Sequence, residues 1–158
     1  MAIKLGDIFE VKLTDNKKQY FQFIGNDTSM LNSSVIRAFK GKHPRGTSFE
    51  AKQVIGDEIQ FHAHVFIRSG IKMALWSKVG NAAVADTDAL LFRNSDDYGN
   101  PQIKISNNWY IWKINEPFVY VGELKEKYRN AEIGVVVTPS DIVIRMQIER
   151  YDFVYPEY

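Results

Sequence analysis

Apolar and polar residues alternate with a period of two over much of this chain. A segment with that period keeps one face buried only when it is extended, so strands rather than helices must carry the fold. Asp7 to Leu13 sets Phe9, Val11 and Leu13 on one face and Ile8, Glu10 and Lys12 on the other, the pattern of a half-buried strand. Asp15-Asn16-Lys17-Lys18 supplies turn residues, and Gln19 to Ile24 returns as a second strand closed by Gly25-Asn26-Asp27, which makes a hairpin. A third strand is expected from Ser34 to Phe39, followed by a loop from Lys40 to Gly46 around Pro44. Glu58 to Arg68 and Ile71 to Lys78 flank Ser69-Gly70 and read as the arms of a second hairpin.

Residues 81–102 lose the alternation and form an irregular acidic loop region, with Asp86, Asp88, Asp96 and Asp97 among Asn, Gly and Pro; Ala82 to Leu91 could hold one short helix. Strand character resumes at Ile103 to Ile105, Trp109 to Ile114 and Phe118 to Val121, and Glu123 to Arg129 suits one or two helical turns. Two readings meet at residues 139–150. Thr138-Pro139-Ser140-Asp141 has the form of a capping box with proline at the first helical position, which favours a short helix. The alternation of Ile142, Ile144, Met146 and Ile148 also fits a strand. Tyr151 to Tyr155 reads as a closing strand. With about seven strands, no repeat and no linker, the expectation is one α+β domain over residues 1–158, either a strongly bent antiparallel sheet or a partly open barrel with one or two short helices.

Composition narrows the functional classes. The 158 residues carry 20 Lys plus Arg against 19 Asp plus Glu, too even a balance for a protein that works by neutralising many phosphates, so nucleic acid is an unfavoured partner. The absence of cysteine removes disulfides, thiolate metal sites, iron–sulfur clusters and cysteine nucleophiles. Lys4 and Asp7 interrupt the apolar N-terminus before it could act as a signal core, and no run reaches the roughly 18 apolar residues of a membrane helix. A soluble, cytoplasmic protein without a membrane partner is expected.

The sharpest local signal for chemistry is His62-Ala63-His64, because alternation on a strand turns both imidazoles to one face. A metal-dependent enzyme is one reading of that pair, but no third ligand follows at close spacing, and partly exposed histidines on a polar strand face explain it more simply. His43 could join them only if the fold brought it there. No serine sits in a Gly-x-Ser-x-Gly elbow, and the neighbouring acids Asp57-Glu58 and Asp96-Asp97 point to opposite sides of an extended chain. Neither a P-loop nor a dinucleotide fingerprint occurs, so no catalytic residue, metal or cofactor is assigned. Arg37, Lys40, Lys42, His43 and Arg45 form a basic run. Were they to cluster with Trp109 or Trp112 on one concave face, a nucleic-acid or small-ligand module would be indicated. Trp109-Tyr110-Ile111-Trp112 alternates, and if one face is core the other exposes two large rings of the kind that anchor protein interfaces; the simpler reading is that other elements of a small barrel cover both faces.

Lys4-Leu5-Gly6-Asp7-Ile8-Phe9-Glu10-Val11-Lys12-Leu13, Tyr20-Phe21-Gln22-Phe23-Ile24, Trp109-Tyr110-Ile111-Trp112-Lys113, Thr138-Pro139-Ser140-Asp141 and Tyr151-Asp152-Phe153 span nearly the whole chain. In these segments it resembles the immunity protein 26 family of bacterial polymorphic toxin systems. The resemblance implies a small, non-enzymatic, cofactor-free cytoplasmic α+β protein that neutralises a cognate toxin domain by stoichiometric occlusion. Since many such toxins are nucleases with basic clefts, Asp86, Asp88, Asp96 and Asp97 around Tyr98, with Trp109 and Trp112, are the expected partner-binding residues.

Overall fold

A computed structural model describes residues 2–158. In chain order the strands are β1 (Asp7–Lys12), β2 (Lys17–Asp27), β3 (Ser33–Phe39), β4 (His43–Pro44), β5 (Ile59–Val65), β6 (Trp76–Asn81), β7 (Phe92–Ser95), β8 (Trp109–Trp112), β9 (Val119–Gly122) and β10 (Glu132–Ile133). The helices are α1 (Ala51–Ile55), α2 (Ile67–Lys72) and α3 (Pro139–Ile148), with a 3-10 turn over Glu126–Tyr128. The fold is therefore strand-rich α+β. Its larger sheet runs β5-β3-β2-β1-β6 with β4 paired to β2, and its smaller sheet runs β10-β7-β8-β9. No barrel closes.

The β1–β2 hairpin forms as its pattern requires. Asp15 and Asn16 both take left-handed φ (59° and 56°), the turn geometry whose twist matches the flanking strands. Register then pairs Phe9 with Phe21 and Val11 with Gln19. Phe9, Val11 and Leu13 enter the main core with Phe21, Ile36, Phe61, Trp76, Ile142 and Met146. Each such side chain removed from water contributes about 1.5–3 kcal/mol before ordering costs. The opposite face of β1 is covered as well: Ile8 packs with Tyr20, Phe39 and Val54 in a second cluster against α1.

Several expectations require correction. Strand β2 does not close at Gly25-Asn26-Asp27 but runs through them past a bulge, and the turn falls at Thr28–Asn32, where Leu31 and Asn32 are left-handed. The anticipated hairpin about Ser69-Gly70 is absent, because that dipeptide lies inside α2 and β6 crosses over to pair with β1 rather than β5. No helix occupies 82–91, and residues 92–95 of the loop region form β7. Ile103 to Ile105 contributes a single bridge between Ile105 and Glu157, and the Tyr151–Tyr155 tail is an irregular aromatic strap rather than a strand. Ten strands form, two of them only two residues long, in place of about seven.

At residues 139–150 the helix prevails. Thr138 accepts the Asp141 amide and Asp141 accepts the Thr138 amide, a complete capping box that satisfies two otherwise orphan donors. Ile142 and Met146, one turn apart, are the helix's buried residues.

Residues 132–137 join the two sheets by backbone pairing. Glu132 and Ile133 pair with β7, while Val136 bridges to His64 and the Val137 amide donates to the His64 carbonyl at 2.9 Å. The chain from 132 to 137 thereby closes the outer edge of β5 and places it against the smaller sheet.

Candidate functional site

Strand β5 lies where the sheets meet, which decides the fate of its two histidines. Neither is a solvated polar residue: His64 is fully buried and His62 nearly so. Each faces its own carboxylate. His64 Nε2 lies 2.8 Å from Asp27 Oδ2, and its ring lies 4.3 Å from that of Phe92. His62 Nδ1 lies 3.0 Å from Glu132 Oε2, and its Nε2 accepts from Arg37 Nε at 3.0 Å. Because Arg37 is always a donor, His62 Nε2 must be unprotonated and Nδ1 must carry the proton toward Glu132. His43 instead packs its ring against Tyr20. Among the described residues, no three His, Asp or Glu side chains gather in a geometry that could hold a metal ion.

Asp27 is the polar centre of the sheet junction. Its Oδ2 accepts from His64 Nε2 and Trp112 Nε1, and its Oδ1 from the amides of Ser29 and Asn115. Burial pushes the Asp27 pKa up, but these bonds outweigh it and hold the carboxyl below its ordinary range. Burial also pushes His64 down, against the pull of Asp27, so the imidazole is neutral at neutral pH.

The anticipated partner-binding residues separate. Trp109 and Trp112 are both interior, in keeping with the reading in which both faces of β8 are covered, and this corrects their assignment as exposed partner-binding anchors. Trp112 packs toward the larger sheet with Ile24, Val35 and Phe92, and Trp109 is covered from the other side by Leu124, Tyr128 and Tyr155. The four acids line four different depressions: Asp86 one beside Arg37, Asp88 one beside Lys113, Asp96 one beside Tyr110 and Asp97 one beside Pro101. Asp97 is a loop fastener, accepting from Ser106 Oγ at 2.6 Å and Asn108 Nδ2 at 3.1 Å. Tyr98 packs on the tail, its ring tilted 5.3 Å from that of Tyr155. The basic run disperses too. Arg37 bonds His62, Lys40 pairs with Glu58, Lys42 donates to the Gln147 carbonyl and Arg45 to the Leu13 carbonyl. No stacking platform of Trp109 or Trp112 lies beside them.

One surface joins two of the sequence-derived residues to new ones. Asp96, Tyr110 and the edge of Trp112 line a depression of about 300 Å³ with Met30 and Phe118. Tyr110 Oη donates to Asp96 Oδ2 at 2.8 Å, which raises the phenol's pKa, and Tyr120 Oη donates to Asn108 Oδ1 at 2.9 Å. The Tyr110 and Tyr120 rings meet edge-to-face at 5.1 Å, and Phe118 lies 4.5 Å from Trp112. Phe118, Val119 and Tyr120 are consecutive and 47 %, 54 % and 55 % exposed at the edge strand β9. Three successive exposed apolar residues are unusual on a surface without a partner. The Phe118–Val121 run was legible as a strand, but its exposure depends on β9 being an edge, which local pattern does not encode.

No protein-family model, curated protein or solved structure matches the chain. No helix among the described residues is long and apolar enough to cross a membrane.

Proposed function

We propose that this chain is an immunity-type protein that binds a cognate toxin domain stoichiometrically in the cytoplasm and occludes it, without catalysis or a cofactor. The observation that carries this reading is the exposed Phe118-Val119-Tyr120 edge beside the Asp96–Tyr110 depression. Its aromatic side chains are ordered by their neighbours before any partner arrives, so little conformational entropy is lost on docking, and an acidic group at the rim can steer a basic partner. The resemblance in the β1–β2, β8 and α3 segments supports the same reading.

The test is co-expression with the product of the adjacent upstream gene, scored by growth rescue and by a one-to-one complex on size exclusion. Tyr120→Ala is expected to weaken the complex by at least ~2 kcal/mol, about thirtyfold in Kd, as loss of a central aromatic anchor does. Asp96→Lys is expected to slow association chiefly. Absence of both rescue and complex with the wild-type chain refutes the reading, and undiminished binding by both variants moves the interface elsewhere.

A further inference from the structure

A second depression, of about 480 Å³, has a different character. Arg37 and His62 line it with Gln60 and Asn130, and Leu90 and Leu91 supply an apolar side. Arg37 is only 5 % exposed. A buried guanidinium normally has a carboxylate against it, because an uncompensated buried charge is costly. Arg37 has none within ion-pair distance among the described residues. Its Nε is spent on the acceptor His62 Nε2, and among the described residues its Nη1 reaches only the Ala85 carbonyl, at 3.4 Å, and Nη2 donates to no protein group.

The surroundings do not supply the missing anion. Glu132 lines the same depression, but it is engaged by the His62 amide and Nδ1, and Arg145 approaches its other oxygen at 3.9 Å. Arg93 donates to the carbonyl of Ala131, the residue next to Glu132, and leaves its own buried Nε without a partner, as Arg145 leaves Nη1. Of the three guanidiniums, Arg145 alone comes within ion-pair distance of Glu132, while Arg37 and Arg93 bond its neighbours His62 and Ala131. Asp86 stands on the exposed rim, where its Oδ1 takes the Asp88 amide.

We propose that this depression is a binding site for a small organic oxyanion, a carboxylate or a phosphate ester, held by the free terminal nitrogen of Arg37 with its apolar part against Leu90 and Leu91. His62 acts as the positioning group: fixed by Glu132, it clamps Arg37 Nε and so aims the rest of the fork. A guanidinium held in this way is matched to the planar or tetrahedral oxygens of such a ligand. The volume falls within the range of small-molecule sites.

The test is a titration of the isotope-labelled full chain, followed by amide and arginine Nε–H resonances, with inorganic phosphate, butyl phosphate and butyrate, each against sodium chloride at matched ionic strength. Saturable shifts at Arg37 Nε–H and at the His62 and Leu91 amides are expected with at least one oxyanion and not with chloride, and the best probe distinguishes phosphate from carboxylate. Arg37→Gln is expected to weaken binding roughly tenfold or more, the loss of one charge-assisted contact. Ala89→Phe, on the exposed wall of the same depression and away from the core, is expected to do likewise by filling it. It decides the matter alone if Arg37→Gln fails to fold. Absence of saturable shifts, equal shifts with chloride, or unchanged affinity in the folded variants overturns the proposal.

Discussion

Asp27 carries a charge in a place that excludes water, and four donors make that tolerable: two amides, an indole and an imidazole. The arrangement fixes His64 as the neutral tautomer with its proton on Nε2. The opposite nitrogen, Nδ1, is buried without a partner, so a second proton would find no acceptor. Both groups therefore titrate below their ordinary values in the folded chain, and the unfolded chain binds protons first as pH falls. Stability is full above the unfolded pKa of His64, 6.5, and declines below it; Asp27 adds a further loss below its unfolded value of 3.8. One proton taken up on unfolding corresponds to a slope of up to ~1.4 kcal/mol per pH unit. His64→Gln keeps an N–H for Asp27 and removes the titration. In urea unfolding between about pH 8 and pH 5, its stability is expected to fall less steeply than that of the wild type. Parallel slopes would mean that His64 does not titrate differently on folding.

At the scale of elements, Gly70 shows how packing can reverse a propensity. It lies within α2 without a left-handed φ, so local preference alone predicts that alanine would stabilise the helix by about 1 kcal/mol. The Trp76 ring, however, lies where a Cβ would be, and it cannot swing aside freely because its Nε1 donates to the Ile67 carbonyl at 3.0 Å. Gly70→Ala is therefore expected to destabilise by roughly 1–3 kcal/mol, the cost of overpacking, in chemical denaturation. A stabilised variant would mean that the ring has room to move. The same contest explains what the sequence made legible. The β1–β2 hairpin and α3 rest on information contained within each segment: alternation with a turn that tolerates left-handed residues, and a capping box. Helix α2 does not, because Ser69-Gly70 carries the local signature of a turn and becomes helical only as β6 is carried across to β1. Strand β7 is four residues among acids and asparagines, and its pairing with β8 and β10 is what defines it. Trp109 and Trp112 point to opposite faces, as alternation requires. That both faces are covered follows from the larger sheet on one side and the tail on the other, neither of which is adjacent in sequence.

Over the whole molecule, the tail after α3 has the connecting role that a closing strand would have had, by ring contacts instead of ladder hydrogen bonds. Tyr151 meets Phe61 of the larger sheet at 6.4 Å and stacks on Phe153 at 4.6 Å, and Tyr155 lies 6.0 Å from Trp109 of the smaller sheet. Burial pushes the Tyr151 phenol up to about 12 and that of Tyr155 higher still, so neither ionises in ordinary buffers and both remain apolar bodies with a polar tip. The Tyr155 tip donates to Asn94 Oδ1 at 3.0 Å on β7, and the Glu157 bridge to Ile105 fastens the end of the strap. One strap touching both sheets should make them unfold together. Tyr155→Ala removes a large ring at the Trp109 end while leaving Tyr151 on Phe61, and truncations of this size cost about 3–5 kcal/mol when the site cannot collapse. The expected result is a red shift of tryptophan emission as Trp109 gains access to water, together with a lower unfolding midpoint. Tyr155→Phe should retain the emission maximum and lose only about 1 kcal/mol with the hydrogen bond. If Tyr155→Ala left both the emission maximum and the midpoint unchanged, the smaller sheet would be held to the larger by the bonds of Asp27 to Trp112 and Asn115, those of Thr28 and Ser29 to residues 115 and 116, and the 132–137 segment, and the tail would be covering rather than fastening.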